Sequence, residues 1–194
     1  WIELYNPSGQ AANLSGYFLT DDPADLQKWA FPAVNLPTGG YMVVFASGKN
    51  LRTPGSPLHT NFSLDAGGEY LALVKPDGVT VVSEFGSGGT HYPGQNAGVS
   101  FGMITSPPQP GYFATATPGA ANTGGFSGYV KDTKFSVNRG FFTAPQTLTL
   151  TTATPGATIR YTTSGSWPGE TAGTIYTGPI TIDRTMPVRA IAYK

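Results

Sequence analysis

The chain has 194 residues, with eleven acids balanced by eleven bases, only 11% charged residues and no cysteine. Its 26 glycines and 17 prolines total 43 residues, close to twice the average share of about 12%. This excludes helical bundles, coiled coils, disulfide scaffolds, thiolate metal sites and cysteine nucleophiles, while 39% hydrophobic and 12% aromatic residues supply enough apolar surface for a core.

In chain order the predicted elements are short strands cut by turns. Trp1 to Tyr5 stops at Asn6-Pro7-Ser8-Gly9, Gly16 to Thr20 at Asp21-Asp22-Pro23, and Trp29 to Phe31 at Pro32. Tyr41 to Ala46 is a continuous apolar run, which predicts a strand covered on both faces. It is also the longest apolar stretch, far short of the roughly 20 residues that span a bilayer as a helix, so no membrane insertion is expected. Glu69 to Lys75 and Val79 to Phe85 flank Pro76-Asp77-Gly78 and read as a hairpin. Ala24 to Lys28 is too short to hold a helix alone. From Gly86 to Gly128 regular pattern is scarce, so part of the tract is expected as irregular loop, ending in a linker-like run from Thr117 to Gly125. Beyond it, Leu148 and Leu150, Ile159 and Tyr161, Ile180 and Ile182, then Val188, Ala190 and Ala192 follow period two, with threonine or arginine between many of them.

The zero net charge is a cancellation. Up to Gly125, eight acids face four bases, which leaves four negative charges; from Phe126, seven bases face three acids, which leaves four positive charges. Two domains follow, 1–125 and 126–194, whose opposite signs favour mutual approach. The bases are dispersed, so no nucleic-acid partner is expected.

Chemistry-bearing motifs are sparse. His59 and His91 are the only imidazoles and lack metal-ligand spacing. No Gly-x-Ser-x-Gly elbow leads from a strand into a helix. Gly86-Ser87-Gly88-Gly89-Thr90 has neither the lysine of a phosphate loop nor a following helix, and reads as a plain loop. Asp21, Asp22 and Asp25 form the only acidic cluster. Two readings stand: solvated loop caps, or a Ca²⁺ site built from hard oxygen ligands, although the spacing is not that of an EF-hand. Trp167 lies in Gly165-Ser166-Trp167-Pro168-Gly169, a polar turn too short to bury an indole. It either stacks on a sugar or anchors a protein partner, or it folds back to cap its own sandwich or packs on the neighbouring domain. Trp1 and Trp29 sit in strand-like blocks and are expected in the core. Asn13-Leu14-Ser15 and Asn61-Phe62-Ser63 fit the glycosylation pattern, which matters only in a eukaryotic secretory context.

Several ordered blocks carry a family resemblance: Trp1-Ile2-Glu3-Leu4-Tyr5-Asn6-Pro7, Leu14 to Asp22, Lys28 to Pro32, Leu36 to Lys49, Leu58 to Phe62, Gly68 to Leu73, Val99 to Gly102 and Ala116 to Asn122. Through them the first half resembles the bacterial lamin-tail domain, an immunoglobulin-like sandwich. That family usually has one more strand before the Trp-Ile-Glu-Leu-Tyr-Asn block, so the resemblance implies a piece of a longer protein. The second half resembles the chitobiase/β-hexosaminidase C-terminal-type domain through Phe135-Ser136, Gly140 to Phe142, Ala144 to Leu150, Thr154 to Thr162, Thr174 to Ile182 and Val188 to Tyr193. Where that family usually reads Asp-Gly-Ser-Glu/Thr-Pro, this chain has Ser164-Gly165-Ser166-Trp167-Pro168.

The expected fold is all-β, two tandem immunoglobulin-like β-sandwiches. The pair of resemblances implies a non-catalytic structural or interaction module of a larger secreted or cell-surface bacterial protein, sometimes followed by a kinase-like domain of spore-coat type. Its partner would be a protein or an extracellular polymer. The competing expectation is carbohydrate binding through exposed aromatics such as Trp167. No cofactor is expected apart from Ca²⁺ at the acidic cluster.

Overall fold

A strand of two to six residues holds its shape only when one side of it leaves water and its backbone groups find partners. Every element of this chain is of that kind. The computed structural model describes residues 1–86 and 91–194, and no helix occurs among them. Most of the Gly86–Thr90 loop, from Ser87 onward, lies outside the described residues. The chain divides into two compact units, Trp1–Ser127 and Gly128–Lys194.

The first unit contains β1 (Ile2–Tyr5), β2 (Ala12–Asn13), β3 (Phe18–Thr20), β4 (Trp29–Ala30), β5 (Asn35–Leu36), β6 (Tyr41–Phe45), β7 (Leu58–His59), β8 (Leu71–Val74), β9 (Val81–Phe85), β10 (Ser100–Thr105) and β11 (Pro108–Phe113). One sheet runs β1-β6-β7, with β1 antiparallel and β7 parallel to β6; a second runs β4-β3-β8-β9 and is antiparallel throughout, and β2-β5 and β10-β11 form separate antiparallel pairs. Ile2, Val44 and Leu58 from the first sheet pack with Leu19 and Trp29 from the second, and Leu14, Phe31, Leu36 and Phe62 complete the cluster. Trp29 is 0% exposed, with the Phe31 ring edge-on at 4.9 Å and the Arg52 guanidinium 5.6 Å from its ring.

Turns satisfy the polar groups that the strands leave over. Asn6 is buried in the first predicted turn; its side-chain amide donates to the carbonyls of Gln10, Leu36 and Pro37 at 2.8, 3.0 and 3.2 Å, and its Oδ1 accepts from the Ser8 backbone N–H. The Pro76-Asp77-Gly78 hairpin forms as predicted, joining β8 to β9. Asp77 accepts from the N–H groups of Val79 and Thr80 and from the Thr80 hydroxyl. These bonds, the Thr80 hydroxyl foremost, hold its carboxyl down at about 2. Gly78 at the tip has φ +74°, the left-handed region that favours glycine.

Three expectations are corrected. The Tyr41–Phe45 strand is covered on one face only: Met42 and Val44 point inward, while Phe45 is 41% exposed. An apolar run looks two-sided in sequence, but here the outer face consists of aromatic and branched residues open to water. Trp1 lies outside the core at 46% exposure, because it precedes β1 on the outward side of the alternation. The tract after Gly86 contains the β10–β11 hairpin, with register from Ser100↔Phe113 onward. Its prolines sit on a two-stranded ribbon where a lost N–H is tolerated, so they are poor strand breakers there. Aromatic packing anchors it, with Phe101 5.0 Å from Tyr112 and 5.5 Å from Phe85.

The second unit contains β12 (Lys134–Phe135), β13 (Gln146–Leu148), β14 (Leu150–Thr151), β15 (Thr158–Thr162), β16 (Thr174–Ile175), β17 (Ile180–Ile182) and β18 (Arg189–Tyr193). Its ladders are β16-β15-β18, β13-β17 and β12-β14, all antiparallel. At Thr149 the chain leaves β17 and joins β12, while the Thr-Leu alternation continues unbroken across the change of partner. Leu148 and Leu150 thereby both reach the core beside Ile159.

Replacing Trp29 by alanine empties the centre of the first unit. The expected loss of stability for that unit is about 3–5 kcal/mol, measured by chemical denaturation with circular dichroism. A loss below about 1 kcal/mol would contradict the packing described.

Candidate functional site

The acidic cluster follows β3 and is fixed by local bonds. Thr20, fully buried, donates its hydroxyl to the Asp25 carbonyl at 2.7 Å and accepts from the Asp22 N–H at 3.0 Å. Asp22 Oδ1 accepts from the Ala24 N–H and Asp25 Oδ1 from the Gln27 N–H, the arrangement by which aspartates close turns. Asp21 pairs with Lys28 at 2.5 Å. That bond raises the Lys28 ammonium above its ordinary value against the opposing effect of burial, and the charges of Asp21, Asp22 and Asp25 add to it. Each carboxylate thus has a protein partner, and the described residues hold no group of three or more His, Asp or Glu placed around a metal position.

Trp167 is 81% exposed in the loop between β15 and β16. The Arg189 guanidinium, from the start of β18, lies 3.9 Å from the centre of its ring. Thr162, opposite Arg189 in the ladder, donates its hydroxyl to the Ser166 carbonyl at 2.6 Å and steadies the turn that carries the indole. One face of the ring is therefore held by a cation, as aromatic quadrupoles favour, and the ring stands out from the domain rather than capping it.

A second aromatic surface was not legible as a site in sequence. The outer face of β1-β6-β7 carries Glu3, Tyr5, Tyr41, Val43, Phe45 and His59, by the alternation that sends Ile2, Met42, Val44 and Leu58 inward. Tyr5 stacks on its ladder partner Tyr41 at 4.7 Å, and Phe45 stacks on His59 at 5.0 Å. Burial raises the Tyr41 hydroxyl above its ordinary value, with Tyr5 and Glu3 adding to the effect. The signal was present as Tyr, Val and Phe at every second position from 41 to 45, hidden by the apolar residues between them.

Among the other titratable groups, Tyr70 and Tyr92 are bound into the structure. His59 Nδ1 lies 2.8 Å from the Ser47 hydroxyl, and His91 is exposed. Tyr70 donates to Glu84 at 2.9 Å, and burial followed by that bond pushes its hydroxyl up to about 12. Tyr92 reaches the Asp65 carbonyl and the Glu69 carboxylate, and burial together with the Glu69 charge raises its hydroxyl well above the ordinary value.

Two small all-β sandwiches with solvent-facing aromatic surfaces define a class of immunoglobulin-like modules. Residues 1–89 match the family model of the Lamin Tail Domain, and residues 137–194 match that of the Chitobiase/beta-hexosaminidase C-terminal domain, in the order expected. The lamin-tail blocks from Val99 to Asn122 lie beyond the matched range. Both matched families are non-catalytic modules. No curated protein and no solved structure matches the chain.

Because the three aspartates are engaged within the chain, millimolar Ca²⁺ is expected to leave its melting temperature unchanged and to give no binding heat. A stabilisation of several degrees, abolished by Asp22→Asn, would establish the Ca²⁺ reading instead.

Proposed function

We propose that this chain is a non-catalytic structural and interaction module of a larger secreted or cell-surface bacterial protein, and that it works by contact with a protein partner. The observation that carries the reading is the outer face of β1-β6-β7, where Tyr5 is 52% exposed on Tyr41 at one end and Phe45 and Trp1 are exposed towards the other. A sheet face in a water-soluble domain is ordinarily polar. Clustered Tyr, Trp and Phe residues are instead the composition enriched at interface centres, where each supplies a large rigid area at little entropic cost. The pairing of a lamin-tail module with a chitobiase C-terminal-type module supports the surface setting.

Photo-crosslinking tests this reading. A benzoylphenylalanine at position 5 or 45 of the full-length protein, irradiated on intact cells, is expected to give one discrete protein adduct. The same group at Val79, exposed on the hairpin of the other sheet, is expected to give none. Equal adducts from all three positions, or none from positions 5 and 45, would refute it.

A second reading rests on Trp167: a stacking platform for carbohydrate. A ring with one face held and the other open is the geometry that sugar C–H faces require. Oligosaccharides titrated against the chain are expected to shift its tryptophan fluorescence, and Trp167→Ala to abolish the shift. An unchanged titration in the variant would eliminate this reading.

A further inference from the structure

The solvent face of β16-β15-β18 carries more than Trp167. Ile159, Tyr161, Ala190 and Ala192 point into the core, so the alternate positions Arg160, Ile175, Arg189, Ile191 and Tyr193 lie on the outer side. Ile175 and Ile191 are exposed, and the Trp167 indole rests on Arg189 at the end of this face. Both arginines are held in place. Arg160 donates Nε–H to the Tyr193 hydroxyl at 2.9 Å and an Nη1–H to the Gly173 carbonyl at 2.8 Å, which leaves its Nη2 donors free of these bonds. Gly173 has φ +94°, and a Cβ there would strike the Tyr161 carbonyl at 2.8 Å, so this acceptor position depends on glycine.

Among the described residues neither guanidinium is ion-paired. The strand positions of the face contribute two cations and no acid. The unit as a whole carries four excess positive charges, seven bases against three acids. Of those acids, Asp183 is paired to Arg184 after β17, Glu170 is exposed in the loop that carries Trp167, and Asp132 shares a hollow with Lys131 and Ile191 beside β18. The surface is therefore planar, cationic and partly apolar.

We propose that this face binds a carboxylate-bearing polysaccharide. Each uronic-acid unit combines a flat C–H face, which can stack on the open side of the indole and the two isoleucines, with a carboxylate at the rim of the ring, to which a guanidinium donates paired N–H···O bonds. Arg160 and Arg189 are diagonal neighbours across the β15–β18 ladder, about 7–8 Å apart at the backbone, so successive units of one chain meet successive cations. An acidic peptide supplies the charge but not the flat ring. Its side chains bind best in pockets, and this is an open sheet face. The proposal rests on the carbohydrate reading of Trp167 and narrows it to an anionic class.

The test titrates the full chain with polygalacturonate, its fully methyl-esterified form and poly-glutamate, by calorimetry at low and physiological salt. Polygalacturonate is expected to bind, the methyl ester about tenfold or more weakly, and poly-glutamate at least as weakly as the ester. Trp167→Ala, at an exposed position that folding does not need, is expected to weaken polygalacturonate binding roughly tenfold. Arg189→Gln is expected to weaken polygalacturonate and leave the residual ester binding nearly unchanged. Equal binding of acid and ester, lost in Trp167→Ala, would overturn the anionic class while leaving the carbohydrate reading in place. Absence of binding to both saccharides would overturn both. Poly-glutamate binding as tight as polygalacturonate would overturn the saccharide assignment in favour of an acidic polypeptide.

Discussion

A strand only two to six residues long contributes too few backbone bonds to persist by itself, so each sheet here depends on withdrawing one of its faces from water. In the first unit that withdrawal centres on Trp29. It comes from a two-residue strand paired to β3 and reaches the inner side of the opposite sheet, where Ile2, Val44 and Leu58 meet it. A large rigid ring joins two sheets that no long strand could join. In the second unit the equivalent place is filled by the smaller side chains of Leu148, Leu150 and Ile159. With the inner faces fixed, the outer faces are fixed too, because a pleated strand cannot turn one side chain without turning the next.

The outer faces are where the two units part company. The first exposes stacked rings, Tyr5 on Tyr41 and Phe45 on His59, with Glu3 the only carboxylate among its strand positions. Glu3 is itself committed, accepting from the Gly119 N–H at 2.5 Å. The second exposes arginines braced by an indole, a phenol and a backbone carbonyl. Surfaces of the first kind suit dehydration against another protein. Those of the second suit a charged ligand that keeps some of its water. On the basic side, two of the seven cations, Arg160 and Arg189, thus hold a defined geometry on one face.

Several elements were legible because one local rule decided them. Asn6-Pro7-Ser8-Gly9 and Pro76-Asp77-Gly78 have no alternative to a turn, and the buried Asn6 amide and the Asp77 carboxylate carry it out. Other elements were decided by partners far away in sequence. Pro108 and Pro110 look like breakers until Ser100–Thr105 lies alongside them. Tyr41–Phe45 looks like a strand buried on both faces until only one face finds a sheet to pack against. The candidate sites divide in the same way. The exposure of Trp167 followed from a short polar turn, but its Arg189 support comes from 22 positions later in the chain. The aromatic face of the first unit is assembled from three separate segments.

The sequence by itself determined that this protein is all-β, cysteine-free and built as two immunoglobulin-like modules of opposite charge, because composition, turn residues and period-two alternation act over a few residues at a time. Only the tertiary structure decided which side of each strand meets water. It sent Trp29 inside and Trp1 outside, and it gathered Arg160, Arg189 and Trp167 onto one surface. Alternation fixes that two faces exist, but which of them is covered depends on the sheet that packs against it, and that sheet comes from elsewhere in the chain.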